Sequence, residues 1–264
     1  MAVEEKELGR LLDFAVSLGR EAGAITRRYF GGSFVVDRKA DDSFVTQADR
    51  EAERLIRRTI EEAFPEDSIL GEEEGERPGA SNRRWIIDPI DGTYSFVHGV
   101  PLYGVLIGLE IETEPCLGVV NLPALDELVY AARGHGCYLN GERVRVSETR
   151  ALEDALLLAT DFGVCEQYGF GAAAARLESA VKARRTWGDA YGHVLVATGR
   201  AEIMLDPVMN VWDCAPLLPI LEEAGGTFTD WNGVPTIHGG NAVSTNGVLF
   251  ERVMETIRAG STEG

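Results

Sequence analysis

Apolar residues recur at three- and four-residue spacing early in the chain, at Leu8, Leu11, Leu12, Ala15, Leu18, Ala22 and Ile25. That period marks one face of an α-helix and predicts a long first helix, stopped by Gly31-Gly32. A second helix is expected over 48–63, with Ala52, Leu55, Ile56, Thr59 and Ile60 on its buried side and Pro65 ending it. Two short apolar runs follow, Ser68-Ile-Leu and Trp85-Ile-Ile, and each leads straight into acidic residues. They are too short for helices and read as strands that deliver carboxylates at their ends.

From Tyr103 the pattern changes to short strand-like runs at 105–111, 116–121, 128–132 and 137–139, separated by turn residues. Asn140-Gly141, set between Tyr138-Leu139 and a run at 144–146, is a hairpin signal, so this middle reads as antiparallel sheet. The second half alternates: strand 155–159, helix 172–183, short helix 192–198, strand 201–205, and helix 211–224 ending at Gly225-Gly226. Strands at 227–230 and 242–244 and a closing helix over 248–257 complete it. Such a mixture predicts an α/β (α+β) fold of stacked layers with two sheets. The chain holds no repeat, low-complexity tract or linker, so one compact unit is expected. A soft boundary near Ser147 divides it into an N-terminal α+β half, 1–147, and a C-terminal α/β half, 148–264.

Composition narrows the function. With 264 residues, 45% hydrophobic and 26% charged, the chain suits one large globular domain or two closely packed halves. No run approaches the ~20 apolar residues of a membrane-spanning helix. The acidic Met1-Ala-Val-Glu-Glu-Lys start lacks the apolar core of a secretory signal, so a cytoplasmic location is expected. Cys116, Cys137, Cys165 and Cys214 form no C-x-x-C pair and read as reduced, mostly buried thiols. The four histidines form no close pair, which argues against zinc. The net charge of −18, from 25 basic and 43 acidic residues, disfavours nucleic acid and anionic membrane as partners. It would repel a small phosphate ester too, so a phosphate substrate would require positive charge from bound metal ions.

The most informative segment is Trp85-Ile-Ile-Asp-Pro-Ile-Asp-Gly-Thr93. Pro89 forbids helix continuation and keeps Asp88 extended, and a bent path can turn Asp88, Asp91 and the Ile90 carbonyl toward one point. All-oxygen ligands suit Mg2+ or Mn2+. Gly92-Thr93 then allows a turn into a helix whose free N–H groups can hold a phosphate. Read alone, Asp-Pro and Asp-Gly are equally ordinary turn residues. In Gly71-Glu72-Glu73-Glu74-Gly75 the charge run fits a solvated loop, although the bracketing glycines after a strand would let one glutamate turn inward. Asp213, after Trp212, and Asp49, in Val45-Thr46-Gln47-Ala48-Asp49, each read as a helix-start acid serving cap and dipole.

In combination and in this order, the four segments resemble the inositol monophosphatase family of metal-dependent phosphatases. The resemblance spans nearly the whole chain, from Lys39-x-Asp-x-Ser-x-Val-Thr-x-Ala-Asp49 to Trp212-Asp213 and Glu223-Ala-Gly-Gly226. It rests mainly on W-x-x-D-P-I-D-G-T, which is long and specific. It implies the layered α-β-α-β-α sandwich of sugar phosphatases and a homodimer. It also implies that Glu72, Asp88 and the Ile90 carbonyl hold a first Mg2+, and that Asp88, Asp91 and Asp213 hold a second, Asp88 bridging. A third, weaker ion belongs near Glu72, with Mn2+ an alternative. Glu72, Asp49 and Thr93 take the catalytic roles around the attacking water, and the Gly92 and Thr93 amides grip the phosphate next to Asp213. Two cations that acidify a water make a serine or cysteine nucleophile unnecessary, in agreement with the lack of a G-x-S-x-G elbow. Two departures stand out: Tyr94-Ser95-Phe96 replaces x-Asn-Phe, and Asp213-Cys-Ala-Pro216 replaces D-x-A-A, with the proline expected in the helix's first turn.

Arg185-Thr-Trp-Gly-Asp189, Tyr191-Gly-His193 and Ala197-Thr-Gly-Arg-Ala-Glu202 look like the histidinol-phosphatase branch. There the substrate carries an ammonium and an imidazole, for which the Asp189 carboxylate is a natural partner. Asp189 reads alternatively as the cap of the following helix. Trp187 lines the pocket or fills the core, and Arg185 contacts substrate or pairs with an acid across the subunit. Other substrates of the same family are inositol phosphate, a bisphosphorylated nucleotide or fructose bisphosphate, with Arg184-Arg185 to receive a second phosphate. A binding role without catalysis, facing a basic protein partner, is the reading of another class. Gly169-Phe-Gly-Ala-Ala-Ala174 matches G-x-G-x-x-A but follows no clear strand, so it reads as a loop entering a helix.

Overall fold

Helix α1 (Glu5–Tyr29) buries Leu8, Leu11, Leu12, Ala15, Leu18 and Ala22 along one face, as their spacing predicts. The computed structural model describes residues 5–32, 34–38 and 44–259, so Lys39, Asp41 and Ser43 of the first motif lie outside the described residues. Strands β1 (Val36–Arg38) and β2 (Phe44–Thr46) form a small antiparallel pair, and α2 (Gln47–Ala63) follows. Then come β3 (Ser68–Gly71), β4 (Gly75–Arg77), β5 (Arg83–Asp91) and the short α3 (Thr93–Val97). The antiparallel middle consists of β6 (Gly104–Ile111), β7 (Glu114–Leu122), β8 (Glu127–Ala132), β9 (Gly136–Leu139) and β10 (Glu142–Val144). The second half runs β11 (Leu156–Ala159), α4 (Phe162–Gln167), α5 (Gly171–Ala180), β12 (Ala183–Arg185), α6 (Asp189–Ala197) and β13 (Ile203–Asp206). It ends with α7 (Val211–Glu223), β14 (Thr227–Thr229), β15 (Ala242–Thr245) and α8 (Phe250–Arg258).

The strands form an eight-stranded sheet, β10-β9-β8-β7-β6-β5-β3-β4, and a five-stranded sheet, β12-β11-β13-β15-β14. Period-two alternation assigns their faces. Trp85 and Ile87 join α1 and α2 on the outer face of the large sheet, whereas Ile86 faces inward. There it meets α6 and α7, with Leu158 and Met204 of the smaller sheet beyond them. Leu157, Ala159, Ile203 and Leu205 point the other way, against α5 and α8. The result is the α-β-α-β-α sandwich. Helix α7 is apolar nearly all round because sheets cover it on both sides.

Several local expectations are corrected. Helix α5 stops at Ala180, and Ala183 instead opens β12, which pairs in parallel with β11. The last strand of the middle sheet is Glu142–Val144, fixed by the hairpin register Val144 to Cys137, and not 144–146. Pro216 is the sixth residue of α7, beyond its first turn, and Pro219 follows inside the same helix. Each removes an N–H that would bond four residues back, a loss offset by complete burial between the sheets. The chain after α7 turns at Gly225, whose φ of 89° is the left-handed value glycine adopts freely, and Gly226 donates back to the Leu221 carbonyl. All four cysteines are free and buried.

Candidate active site

Strands β3 and β5 run parallel, so their C-terminal ends lie side by side. β3 leads into Glu72 and β5 carries Asp88 and Asp91. The pairing of β5 with β6 shifts register between Asp88 and Asp91, at Pro89, which supplies no N–H to the ladder. This bulge lets two aspartates three residues apart serve one site. The start of α7 brings Asp213 to the same place, and Asp88, Asp91 and Asp213 each offer an oxygen within 4.8 Å of the others.

Each of the three is anchored through one oxygen by a backbone N–H. Asp88 accepts from Ile90 at 2.9 Å, Asp91 from Ala190 in the first turn of α6 at 2.7 Å, and Asp213 from Asn210 at 2.6 Å. Burial pushes the Asp88 and Asp91 carboxyls well above the usual carboxylate range. Glu72, Asp91 and Asp213 add to the effect at Asp88, while Asp189 and Asp213 do so at Asp91. Burial likewise raises Asp213 to about 7, partly countered by the Asn210 N–H. None of the ion pairs among the described residues involves Asp88, Asp91, Asp189 or Asp213. Mutually repelling, oxygen-only donors, Asp88 buried and Asp91 and Asp213 half-buried, with no cationic side chain paired to them, fit hard divalent cations.

Asp49 sits at the third position of α2, where its Oδ2 accepts from the Thr46 N–H at 2.8 Å and the Thr46 hydroxyl at 2.5 Å. Its Oδ1 is buried with no hydrogen-bond partner, and burial raises the group to about 6, with Glu72 adding to the shift. Asp49 is therefore both a capping acid and a carboxylate with one oxygen to spare. The Thr93 hydroxyl donates to the Ile90 carbonyl at 2.9 Å, which leaves that oxygen a second lone pair. Gly92 has a φ of 75°, and a Cβ there would lie 2.8 Å from the Leu102 carbonyl and 3.0 Å from Asp189 Oδ2.

Glu72, Gly92, Thr93 and Asp189 share a pocket of about 330 Å³, whose wall is completed by Arg38, Phe44 and Tyr94. Asp189 is the first residue of α6, and the capping position belongs to Gly188. Its φ of 53° is left-handed, a conformation held by the bond from its own N–H to the Thr160 hydroxyl, which in turn donates to Asp206, both at 2.9 Å. Burial and the nearby Asp206 raise Asp189 to about 7.

Arg185 stands apart from this assembly: it is exposed on edge strand β12, and its neighbour Arg184 pairs with Glu178 at 3.0 Å. Trp187 neither fills the core nor lines the pocket, being 42% exposed. His193 faces inward and its Nδ1 lies 2.7 Å from the Ser244 hydroxyl, so its part is structural. Sequence reasoning missed Arg38, Phe44, Thr160 and Asp206. Only Asp206 carried a signal, since it ends an apolar run as Asp88 does.

A five-layer sandwich that gathers carboxylates from two strand ends and three helix starts beside one cleft defines a metal-dependent phosphatase. The chain belongs to the inositol monophosphatase family, whose pattern matches residues 7–261. It is 45% identical over 254 residues to histidinol-phosphatase of Chlorobaculum parvum, covering 96% of this chain and 98% of that protein. With histidinol-phosphatase of Mycobacterium tuberculosis it shares 38% identity, over 94% of this chain and 98% of that one. The crystal structure of the extragenic suppressor protein SuhB of Bartonella henselae matches with a TM-score of 0.88 at 30% identity, over 95% of this chain and 99% of that chain. Both the fold and the resemblance to the histidinol-phosphatase branch are borne out.

Proposed function

We propose that this phosphatase hydrolyses histidinol phosphate with Mg2+ and serves histidine biosynthesis in the cytoplasm. The observation that carries the substrate is Asp189. Its carboxylate lines the same pocket as Glu72, Gly92 and Thr93, has no cationic partner among the described ion pairs, and is not the cap of its helix. A substrate ammonium would supply the missing counter-charge. The two relatives named histidinol-phosphatase support the same reading.

Glu72, Asp88, Asp91, Asp213 and the Ile90 carbonyl would hold the ions. When bound, divalent cations neutralise the phosphate, acidify a water for attack on phosphorus and stabilise the departing alkoxide. Asp49, with Oδ1 unpartnered and an acidity near neutral, is suited to orient that water and receive its proton. Thr93 holds the Ile90 carbonyl in place through its hydroxyl. The N–H groups of Gly92 and Thr93, at the opening of α3, are offered to the phosphate oxygens. Arg185, exposed on its edge strand, suits a contact across a homodimer better than one within its own pocket.

The Asp189→Ala variant tests the substrate reading. Its kcat/KM for histidinol phosphate should fall by roughly 10-fold to 100-fold, the ~1.5–3 kcal/mol of a charged hydrogen bond, with little change for inositol 1-phosphate. Equal losses on both substrates would reduce Asp189 to a structural residue.

A further inference from the structure

Helix α2 turns a buried stripe of Asp49, Glu53 and Arg57, each four residues from the next, toward the loop after β3. Asp49 faces the site; Glu53, with no exposed surface, does something else. Its carboxylate accepts the Glu73 N–H at 2.8 Å and the Glu74 N–H at 3.0 Å. It also accepts Nε of Arg57 at 2.7 Å, and Arg57 reaches on to the Gly75 carbonyl. One buried ion pair therefore holds the backbone of the loop at three successive residues. Gly71, the last residue of β3, packs so closely on this pair that an added Cβ would overlap Glu53 Oε1 and lie 2.8 Å from Arg57 Nη2.

The loop needs such a hold. It carries Glu72, Glu73 and Glu74 in succession, and Glu72 lies beside Asp88 and Asp213, both of which its charge pushes up. Repulsion by the other carboxylates opposes the place of Glu72 beside them whenever cations are not there to attract it. Three charge-assisted bonds on a fully buried carboxylate oppose that motion and compensate the buried charge. We propose that Glu53 is a positioning residue for Glu72: it clamps the Glu73 and Glu74 amides and thereby sets the site's affinity for divalent cations. The inference rests on the reading of Glu72 as a group that holds a cation.

Calorimetric titration of Mn2+ into the full chain without substrate tests it in four proteins: wild type, Glu53→Gln, Glu72→Gln and the double variant. A glutamine offers one acceptor oxygen for three donors, so Glu53→Gln should weaken Mn2+ binding by about 10-fold to 100-fold, as loss of a ligand-orienting group does. In the Glu72→Gln background it should cause no further weakening. Undiminished binding in Glu53→Gln, or equal weakening in both backgrounds, would overturn the proposal. If Glu72→Gln alone leaves binding unchanged, the role of Glu72 fails first, a distinct result. Should Glu53→Gln not fold, Gly71→Ala displaces the same carboxylate without neutralising it and takes its place in the cycle, under the same criteria.

Discussion

The cluster carboxylates divide their two oxygens between structure and chemistry. One oxygen of Asp88, Asp91 and Asp213 is tied to a backbone N–H, so the side chains cannot swing away from one another when their charges repel. Asp88→Asn keeps the shape but removes a charge at the centre of the cluster. Phosphate release should drop below about one hundredth of wild type, beyond the 10–100-fold cost of losing an outer partner, with the circular dichroism spectrum unchanged. Substantial residual turnover would exclude Asp88 as a ligand. Gly92→Ala meets a left-handed φ of 75° and a Cβ 2.8 Å from the Leu102 carbonyl and 3.0 Å from Asp189 Oδ2. Its kcat/KM should fall by at least about 10-fold, because the added methyl moves Asp189 or the turn that begins α3. The bend that joins Asp88 to Asp91 was legible in W-x-x-D-P-I-D-G-T, whereas Asp213 read alone as a helix-start acid and joined them only through the family resemblance. The sequence offered Asp189 as a substrate partner or a helix cap, but its left-handed φ was not legible, since it depends on Thr160 and Asp206, which lie 29 residues before and 17 after it in the chain.

At the scale of elements, α7 is the part on which the geometry depends most. It carries Asp213 and lies between the sheets, and β6 and β7 admit it through Gly108 and Gly118, where a Cβ would strike Ala215 and Pro216 respectively. Gly118→Ala should cost about 1–3 kcal/mol of stability, the usual effect of overpacking. It should also weaken divalent-ion binding, because the helix must shift with its aspartate. Retained affinity in a destabilised variant would show that Asp213 is held independently of the helix. The long elements followed from period and length. The missed ones, β1, β2, β4, β12 and α4, are three to six residues long, too short to display a period. The four strands among them are defined by pairing partners and not by their own sequence, as β12 is by β11. The helix was legible through both prolines, but Pro216, expected in its first turn, stands beyond it, since propensity yields where tertiary burial is complete.

For the whole molecule, a net charge of −18 and a partly buried acidic cluster mean that protons and divalent cations would compete for the same groups. Asp49 is raised to about 6 and Asp189 and Asp213 to about 7, from an ordinary value of 3.8. Each binds a proton more tightly folded than unfolded, so its contribution favours the fold below about pH 4 and is lost as pH rises through 6 and 7. In chelator, Asp213→Asn should therefore melt above wild type at pH 8, by roughly 2–4 °C or more, with the gap closing toward pH 5. Added Mg2+ should raise the wild-type midpoint and leave the variant behind. A variant that melts below wild type in chelator at pH 8 would contradict the electrostatic picture of the site.

Metal dependence and substrate choice are both read in phosphate release from histidinol phosphate and inositol 1-phosphate, side by side, with Mg2+ and with chelator. Turnover that chelator abolishes and a clear preference for histidinol phosphate are expected. Turnover that survives chelation would contradict the metal-holding role of Asp88, Asp91 and Asp213, and a preference for inositol 1-phosphate would contradict the role of Asp189.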